Sequence, residues 1–358
     1  MNDNPKVALF ILNYNSKSFL GAVIESCKKQ TYRNFKIIVI DNNSADESID
    51  FLKTHYPNIE LITNKKNIGV GAGFNKGIKK YLNNFEYMAF FNPDMKIHKH
   101  WLKETLWSLE NDPQAQTCAG LLTDWQGKHT ENAGGIIVNI FTGIFGGFLS
   151  GIPIKKLPKQ YKNKTFPVFY STLTSMLVRT NAFKKYGLFD EGYFMSSEEI
   201  DFCWRVWMNG GKILCNTKAK AAHYIHGSNP STNIKLYIFK HTETNILLTY
   251  YKNLSTLTFL LLIVPLIIFR LTASLLYIPV SPRITITKLE GILLFFPQML
   301  TKKYRTHRSF ISQIKRQNDW IILKYNPTPL FSFTPIYTSM KKWFATIRIS
   351  YTQSRKEK

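Results

Sequence analysis

Three short apolar runs stop abruptly at Asn- and Asp-rich turns, and this pattern limits what the chain can fold into. VALFIL (7–12) leads into Asn13-Tyr14-Asn15, FKIIVI (35–40) into Asp41-Asn42-Asn43-Ser44, and YMAFF (87–91) into Asn92-Pro93-Asp94. IELIT (59–63) is a fourth run. Continuous apolar runs of this length read as strands covered on both faces. Helical spacing fills the gaps at 18–30, 44–56, 73–82 and 100–112. Ser44 with Glu47 three residues later predicts a capping box opening the second helix. Strands alternating with helices predict a parallel α/β sheet. Ligands on such sheets bind beyond the strand ends, so the Asn/Asp turns mark a ligand-binding rim.

Further along, residues 131–165 are rich in Gly and apolar residues without clean periodicity, as in a mobile acceptor-side loop or an irregular connection. Regular structure resumes with a strand at 171–179, a short helix at 180–187 closed by Gly187, a helix at 196–211 and a strand at 212–224. The texture changes after residue 230. Residues 253–269 are uncharged, fall short of the roughly 20 apolar residues a spanning helix needs, contain Pro265 and end at Arg270.

Most rim residues carry two readings. Asp41, with Asn42 and Asn43, can accept hydrogen bonds from a base or ribose, or can simply make a turn. The stretch 64–77, NKKNIGVGAGFNKG, has glycines that let a backbone approach a ligand, and a helix start near Gly73 that offers free N–H groups. A dinucleotide fingerprint is excluded: the glycines do not follow the first strand, and Lys76 stands where the third glycine belongs. Asp94 offers a hard oxygen for Mg²⁺ or Mn²⁺ carrying a diphosphate, or caps a turn after Pro93. On a helix, Glu198 and Asp201 share a face, and Asp201 pairs with Arg205 at i,i+4. Glu199 is left without a helical partner and is the candidate base. His223 ends a strand, with His226 close by.

The formal net charge is +24, and residues 281–358 hold 15 Lys and Arg against 3 Asp and Glu. That asymmetry predicts an anionic surface as partner. The basic residues lie beside apolar runs and no nucleic-acid module is recognisable, which argues for a membrane and against nucleic acid. Four cysteines without CxxC or zinc spacing read as reduced cytoplasmic thiols, and the apolar run Val7–Leu12 is too short for a signal peptide, which predicts that the N-terminal domain is not exported. A sugar nucleotidyltransferase would need a Gly-rich loop after the first strand, and NYNSKSF has none.

Six stretches in order carry a resemblance over about residues 6–230: FILNYNSKSFL, IIVIDNNSADES, NIGVGAGFNKGI, AFFNPDM, GLFDEGYFMSSEEIDFCWRVWMNGGKI and AAHYIHGS. Together they resemble a family 2 glycosyltransferase of the rhamnosyltransferase branch of bacterial surface polysaccharide synthesis. The resemblance implies a GT-A catalytic domain at 1–235, leaving 236–358 as a helical, apolar and basic membrane-associating region. It implies an inverting, Mg²⁺- or Mn²⁺-dependent transferase that uses a nucleoside diphosphate sugar. Asn13, Asn15, Asp41, Asn43, Gly71, Asn75 and Asp94 would bind the donor, and Asp94 with His223 the metal. Asp190, Glu198 and Asp201 would face the acceptor. The base in relatives is usually the Asp of an Glu-Asp pair; here that position is Glu199, one methylene longer. The acceptor would be a glycan or lipid-linked glycan at the cytoplasmic face of the membrane. The competing class is an inactive scaffold or an anion-binding protein. Nothing in the sequence speaks to oligomeric state.

Overall fold

The computed structural model describes residues 4–224, 232–279 and 281–324; His226 and the basic tail beyond 324 lie outside them. The first half runs β1 (Val7–Asn13), α1 (Lys17–Lys28), β2 (Phe35–Asp41), α2 (Ser48–His55), β3 (Glu60–Thr63), α3 (Val70–Tyr81), β4 (Tyr87–Phe91), β5 (Met95–Ile97), α4 (Trp101–Glu110) and β6 (Ala115–Asp124). The second half adds β7 (Thr130–Asn132), β8 (Gly135–Asn139), β9 (Ile144–Gly147), β10 (Thr165–Pro167), β11 (Ser175–Arg179), α5 (Thr180–Tyr186), α6 (Glu198–Met208) and β12 (Lys212–His223). Helices α7 (Thr232–Asn253), α8 (Thr256–Leu275), α9 (Pro282–Met299), α10 (Lys302–Ile314) and α11 (Ile321–Lys324) follow.

The main sheet has the order β10-β12-β6-β11-β4-β1-β2-β3. Its β4-β1-β2-β3 half is parallel, as the sequence predicts. The sheet as a whole is mixed, because β11 runs antiparallel between β4 and β6. β6 ends at the ligand rim, whereas β11 starts opposite Phe91 and runs back to Tyr87. Within β1 the side chains alternate. Val7, Leu9 and Ile11 face α1 and α4, while Ala8, Phe10 and Leu12 face α3.

Two expectations are corrected. The second helix begins at Ser48, not Ser44, because the Ser44 hydroxyl is spent on Asp41. The Gly-rich stretch is an ordered hairpin, β8 on β9. Gly135 is required there, since a Cβ would lie 1.9 Å from the Tyr170 ring. Among the described residues after 235, Leu247, Tyr250, Leu262 and Phe295 join the cluster that holds Phe10 and Phe90. Among the described residues one helix, α8, is long and apolar enough to cross a membrane.

Candidate active site

At the ends of β1 and β2 the fully buried Asp41 organises the rim. Its Oδ1 accepts from Asn13 Nδ2 at 2.8 Å and from Ser44 Oγ at 2.6 Å, and its Oδ2 accepts from the Ser44 amide at 2.9 Å. Asn13 Oδ1 is buried and has no partner among the described residues. Asn15 (φ 49°) and Asn43 (φ 67°) sit in left-handed turns on the exposed edge, and Asn15 Oδ1 accepts from the Ala45 amide. Asp41 therefore fixes the shape of this turn from behind, and Asn15 and Asn43 are its exposed side chains.

Asp94 lies beyond β4, partly exposed. Its Oδ2 is 3.4 Å from His223 Nε2, and His223 Nδ1 is 2.8 Å from Glu131 Oε2. Backbone pairing sets this up: His223 stands opposite Met95, and the Tyr224 amide donates to the Asp94 carbonyl. Burial opposes charge on His223, but the flanking carboxylates of Asp94 and Glu131 outweigh it and lift the imidazole to about 9. Glu131, 92 residues away in sequence, was not foreseen.

Among the described residues no three His, Cys, Asp or Glu side chains converge into a complete metal cage. Asp94 and His223 nonetheless suit Mg²⁺ or Mn²⁺. They offer one carboxylate and one imidazole whose ring a second carboxylate orients, leaving other positions for diphosphate oxygens and water. Loading such an ion would displace the proton shared by His223.

Gly71 and Asn75, expected on the donor side, both pack against the segment that precedes α6. Asn75 is fully buried, donates to the Phe189 carbonyl at 2.9 Å and to Glu191 Oε1 at 3.1 Å, and accepts from the Phe189 amide. Gly71 packs against Phe189, where a Cβ would approach to 3.1 Å. Both serve to hold the 189–198 segment on α3. Gly69, which the sequence reading passed over, makes the tightest approach: at φ +88° its Cβ would lie 2.2 Å from the Phe194 carbonyl oxygen, which accepts from the Val70 amide. Gly69→Ala is expected to cost about 1–3 kcal/mol through strain and to loosen the turn carrying Glu199. Unfolding by denaturant measures the first, and the rate of sugar transfer measures the second.

That turn is itself strained. Ser196 and Ser197 are both at φ +76°, and α7 braces them through Asn245 Nδ2, which donates to the carbonyls of Met195 and Ser196. Glu198 and Glu199 follow as the first residues of α6. Glu198 is buried, with Oε2 unpartnered among the described residues. Burial first, then the charge of Glu199, pushes it well above the carboxylate range. Glu199 is partly exposed and has no ion-pair partner among the described residues; burial lifts it to about 7. Tyr170 lies beside it, its phenol pushed up by burial and by the Glu199 charge.

Asp190 and Asp201 do not offer free carboxylates to an acceptor. Lys252 Nζ lies between them, 2.6 Å from Asp190 Oδ2 and 3.0 Å from Asp201 Oδ1. Arg205 and Asn253 are further partners of Asp201, and Lys303, His307 and the Gly192 amide are further partners of Asp190. These two aspartates fasten the C-terminal helices to α6.

Residues 8–187 match the family described as Glycosyl transferase family 2. The rhamnosyltransferase WbbL of Escherichia coli K12 is 26% identical over 233 residues, 63% of this chain and 86% of that protein. The N-acetylglucosaminyl-diphospho-decaprenol L-rhamnosyltransferase of Mycobacterium tuberculosis is 24% identical over 256 residues, 66% of this chain and 82% of that one. The crystal structure of GalNAc-T7 with UDP, GalNAc and Mn²⁺ superposes with a TM-score of 0.59 at 14% identity, covering 92% of this chain and 59% of that chain. The mixed sheet, the Asp-bearing turn after β4 and the match over half the chain place this protein in glycosyl transferase family 2, as a GT-A hexosyltransferase with rhamnosyltransferase-like relatives.

Proposed function

We propose that the chain is an inverting, divalent-metal-dependent transferase that moves a sugar of the rhamnose class from a nucleoside diphosphate to a hydroxyl of a lipid-linked glycan. The carrying observation is Glu199: a carboxylate without an ion-pair partner among the described residues, lifted to about 7, at the start of a helix whose preceding turn is pinned to the ligand rim at Gly69. A base works best when its pKa lies near the working pH.

Asp94 and His223 would hold Mg²⁺ or Mn²⁺, which when bound neutralises the departing diphosphate. Glu131 keeps the His223 ring oriented through Nδ1. The turns around Asn13–Asn15 and Asp41–Asn43 take the nucleoside, with Asp41 fixing their shape. Glu199 receives the acceptor's hydroxyl proton as the oxygen attacks the anomeric carbon opposite the diphosphate, so the centre inverts without a covalent sugar–enzyme intermediate. The relatives that act on lipid-linked sugars support an acceptor presented at the cytoplasmic face of the membrane.

Asp94→Ala is expected to remove about 10–100-fold of the affinity for nucleoside diphosphate that Mn²⁺ confers, with the fold intact. Titration of UDP and dTDP with and without Mn²⁺ reads this. Equal affinities for the variant and parent in Mn²⁺ would remove Asp94 from the metal site.

A further inference from the structure

The outward face of α8 is apolar along its length. Leu257, Leu261, Val264 and Ile268 fall at i, i+4, i+7 and i+11 and are 59–70% exposed. Helix α9 packs against α8, and both rest on α7, so their outward faces lie side by side. On α9 that face carries Leu293 (66% exposed) and Phe296 (45%), with Glu290 at its near edge held in an ion pair by Lys240 of α7. Contiguous apolar surface of this kind marks an interaction site.

The inward face of α8 is different. Arg270 donates to Glu243 Oε2 at 2.7 Å and to the Gly143 carbonyl at 2.8 Å, and Thr258 donates to Asp319 at 2.7 Å. Lys288 of α9 joins Arg270 on Glu243. If α8 crossed a bilayer, these groups would have to leave their partners or carry them into hydrocarbon. Exposed cations bracket α9: Arg283 stands in its first turn, and Lys302 and Arg305 open α10 just past its end.

We propose that α8 and α9 lie in the plane of one anionic leaflet, apolar faces in the acyl region and the flanking cations at the headgroups, without crossing it. The occupant is lipid rather than another protein because the apolar band is framed at both ends by positive charge, matching an anionic interface. The arrangement also has a consequence for the site. Arg270 ties α8 to the β8–β9 hairpin at Gly143, and Gly135 of that hairpin lies under Tyr170, the neighbour of Glu199. The leaflet surface and the candidate base are thus joined by a short run of packed elements. The proposal deepens the reading of a membrane-borne acceptor, but its test uses neither donor nor acceptor, so either can fail alone.

The full-length chain is mixed with vesicles of phosphatidylcholine, with or without phosphatidylglycerol, and sedimented. Leu261→Glu with Phe296→Glu is expected to lower partitioning about tenfold or more on anionic vesicles. Lys302→Gln with Arg305→Gln is expected to weaken it on anionic vesicles only, and only at low salt. Both pairs alter exposed side chains, and unchanged denaturant midpoints verify that they fold. Thr256→Cys and Leu276→Cys should each react with a membrane-impermeant maleimide from the side to which protein was added. Labelling of one end alone would mean that α8 spans. Unchanged partitioning of Leu261→Glu/Phe296→Glu, or a parent chain that forms a dimer abolished by that pair and ignores vesicles, would overturn the proposal. So would strong vesicle binding that appears only when the chain is cut after residue 324, since the tail would then be the native cover.

Discussion

Glu199→Gln should transfer sugar about 10²–10⁴-fold more slowly than the parent chain, with donor affinity nearly unchanged. The amide keeps the size and shape of the carboxylate but cannot take the acceptor proton. The pH profile provides a second reading. Burial lifts Glu199 to about 7, so below that pH the side chain is protonated and cannot act as a base. Transfer by the parent should therefore rise through about pH 7 and level off above it. The rise should vanish in Glu199→Gln. Burial and the Glu199 charge push the Glu198 carboxyl well above the carboxylate range. Glu198→Gln keeps the size and shape of that buried side chain and should cost far less rate than Glu199→Gln, with the rise through about pH 7 kept. Glu199→Asp, the residue usual in the family, should retain part of the activity on a shorter reach. If Glu199→Gln kept the parent rate while Glu198→Gln were dead, the base would be the buried carboxylate.

The features legible in the sequence were those written locally. Continuous apolar runs identified β1, β2 and β4, and the polar residues that stop them lie on the rim because a strand's end is where its side chains leave the core. Asp94 and His223 were readable as strand-end residues, one lying just past β4 and the other closing β12. Their third partner, Glu131, was not. It comes from β7, and only the antiparallel β6–β7 pairing carries it back toward His223. The packing of Gly71 and Asn75 was hidden for a different reason. A Gly-rich helix start looks the same whether it receives a phosphate or a packed backbone. Here Phe189 and Phe194 occupy the space that glycine opens, and the Asn75 amide is consumed by the backbone of residue 189.

Asp201 is instructive because both readings were visible at once. The i,i+4 pair with Arg205 forms as helix geometry predicts, at 3.1 Å. Helix geometry could not reveal Lys252, which reaches the same carboxylate from α7, 51 positions on. A long-range ion pair has no period, so nothing in the sequence around Asp201 reports it. The antiparallel β11 escaped for a related reason: strand direction depends on where the preceding chain has travelled, and the run SMLVR reads the same either way.

Lys252→Met is expected to destabilise the fold by about 3–5 kcal/mol, because it leaves two buried carboxylates short of their shared cation. The three side chains are 1–2% exposed, and the ammonium also lies 4.4 Å from the centre of the Tyr193 ring. The effect should depend on pH with a definite sign. Burial alone would raise Asp190, but Lys252, His307 and Lys303 more than offset it and hold its carboxyl far below the ordinary range. Burial likewise acts on Asp201, and Lys252 and Arg205 bring it down. Carboxylates depressed in the folded state add stability above their unfolded value of roughly 4, and that stability is lost as pH falls. The gap between parent and variant should accordingly be widest at neutral pH and narrow in acid. Denaturant unfolding at several pH values reads both predictions. Asp201→Asn placed on Lys252→Met should recover part of the loss, since it removes one of the stranded charges. A loss below about 1 kcal/mol at pH 7, or no recovery in the double variant, would mean that Arg205, Asn253, Lys303 and His307 suffice and that Lys252 is not the fastener between the C-terminal helices and α6.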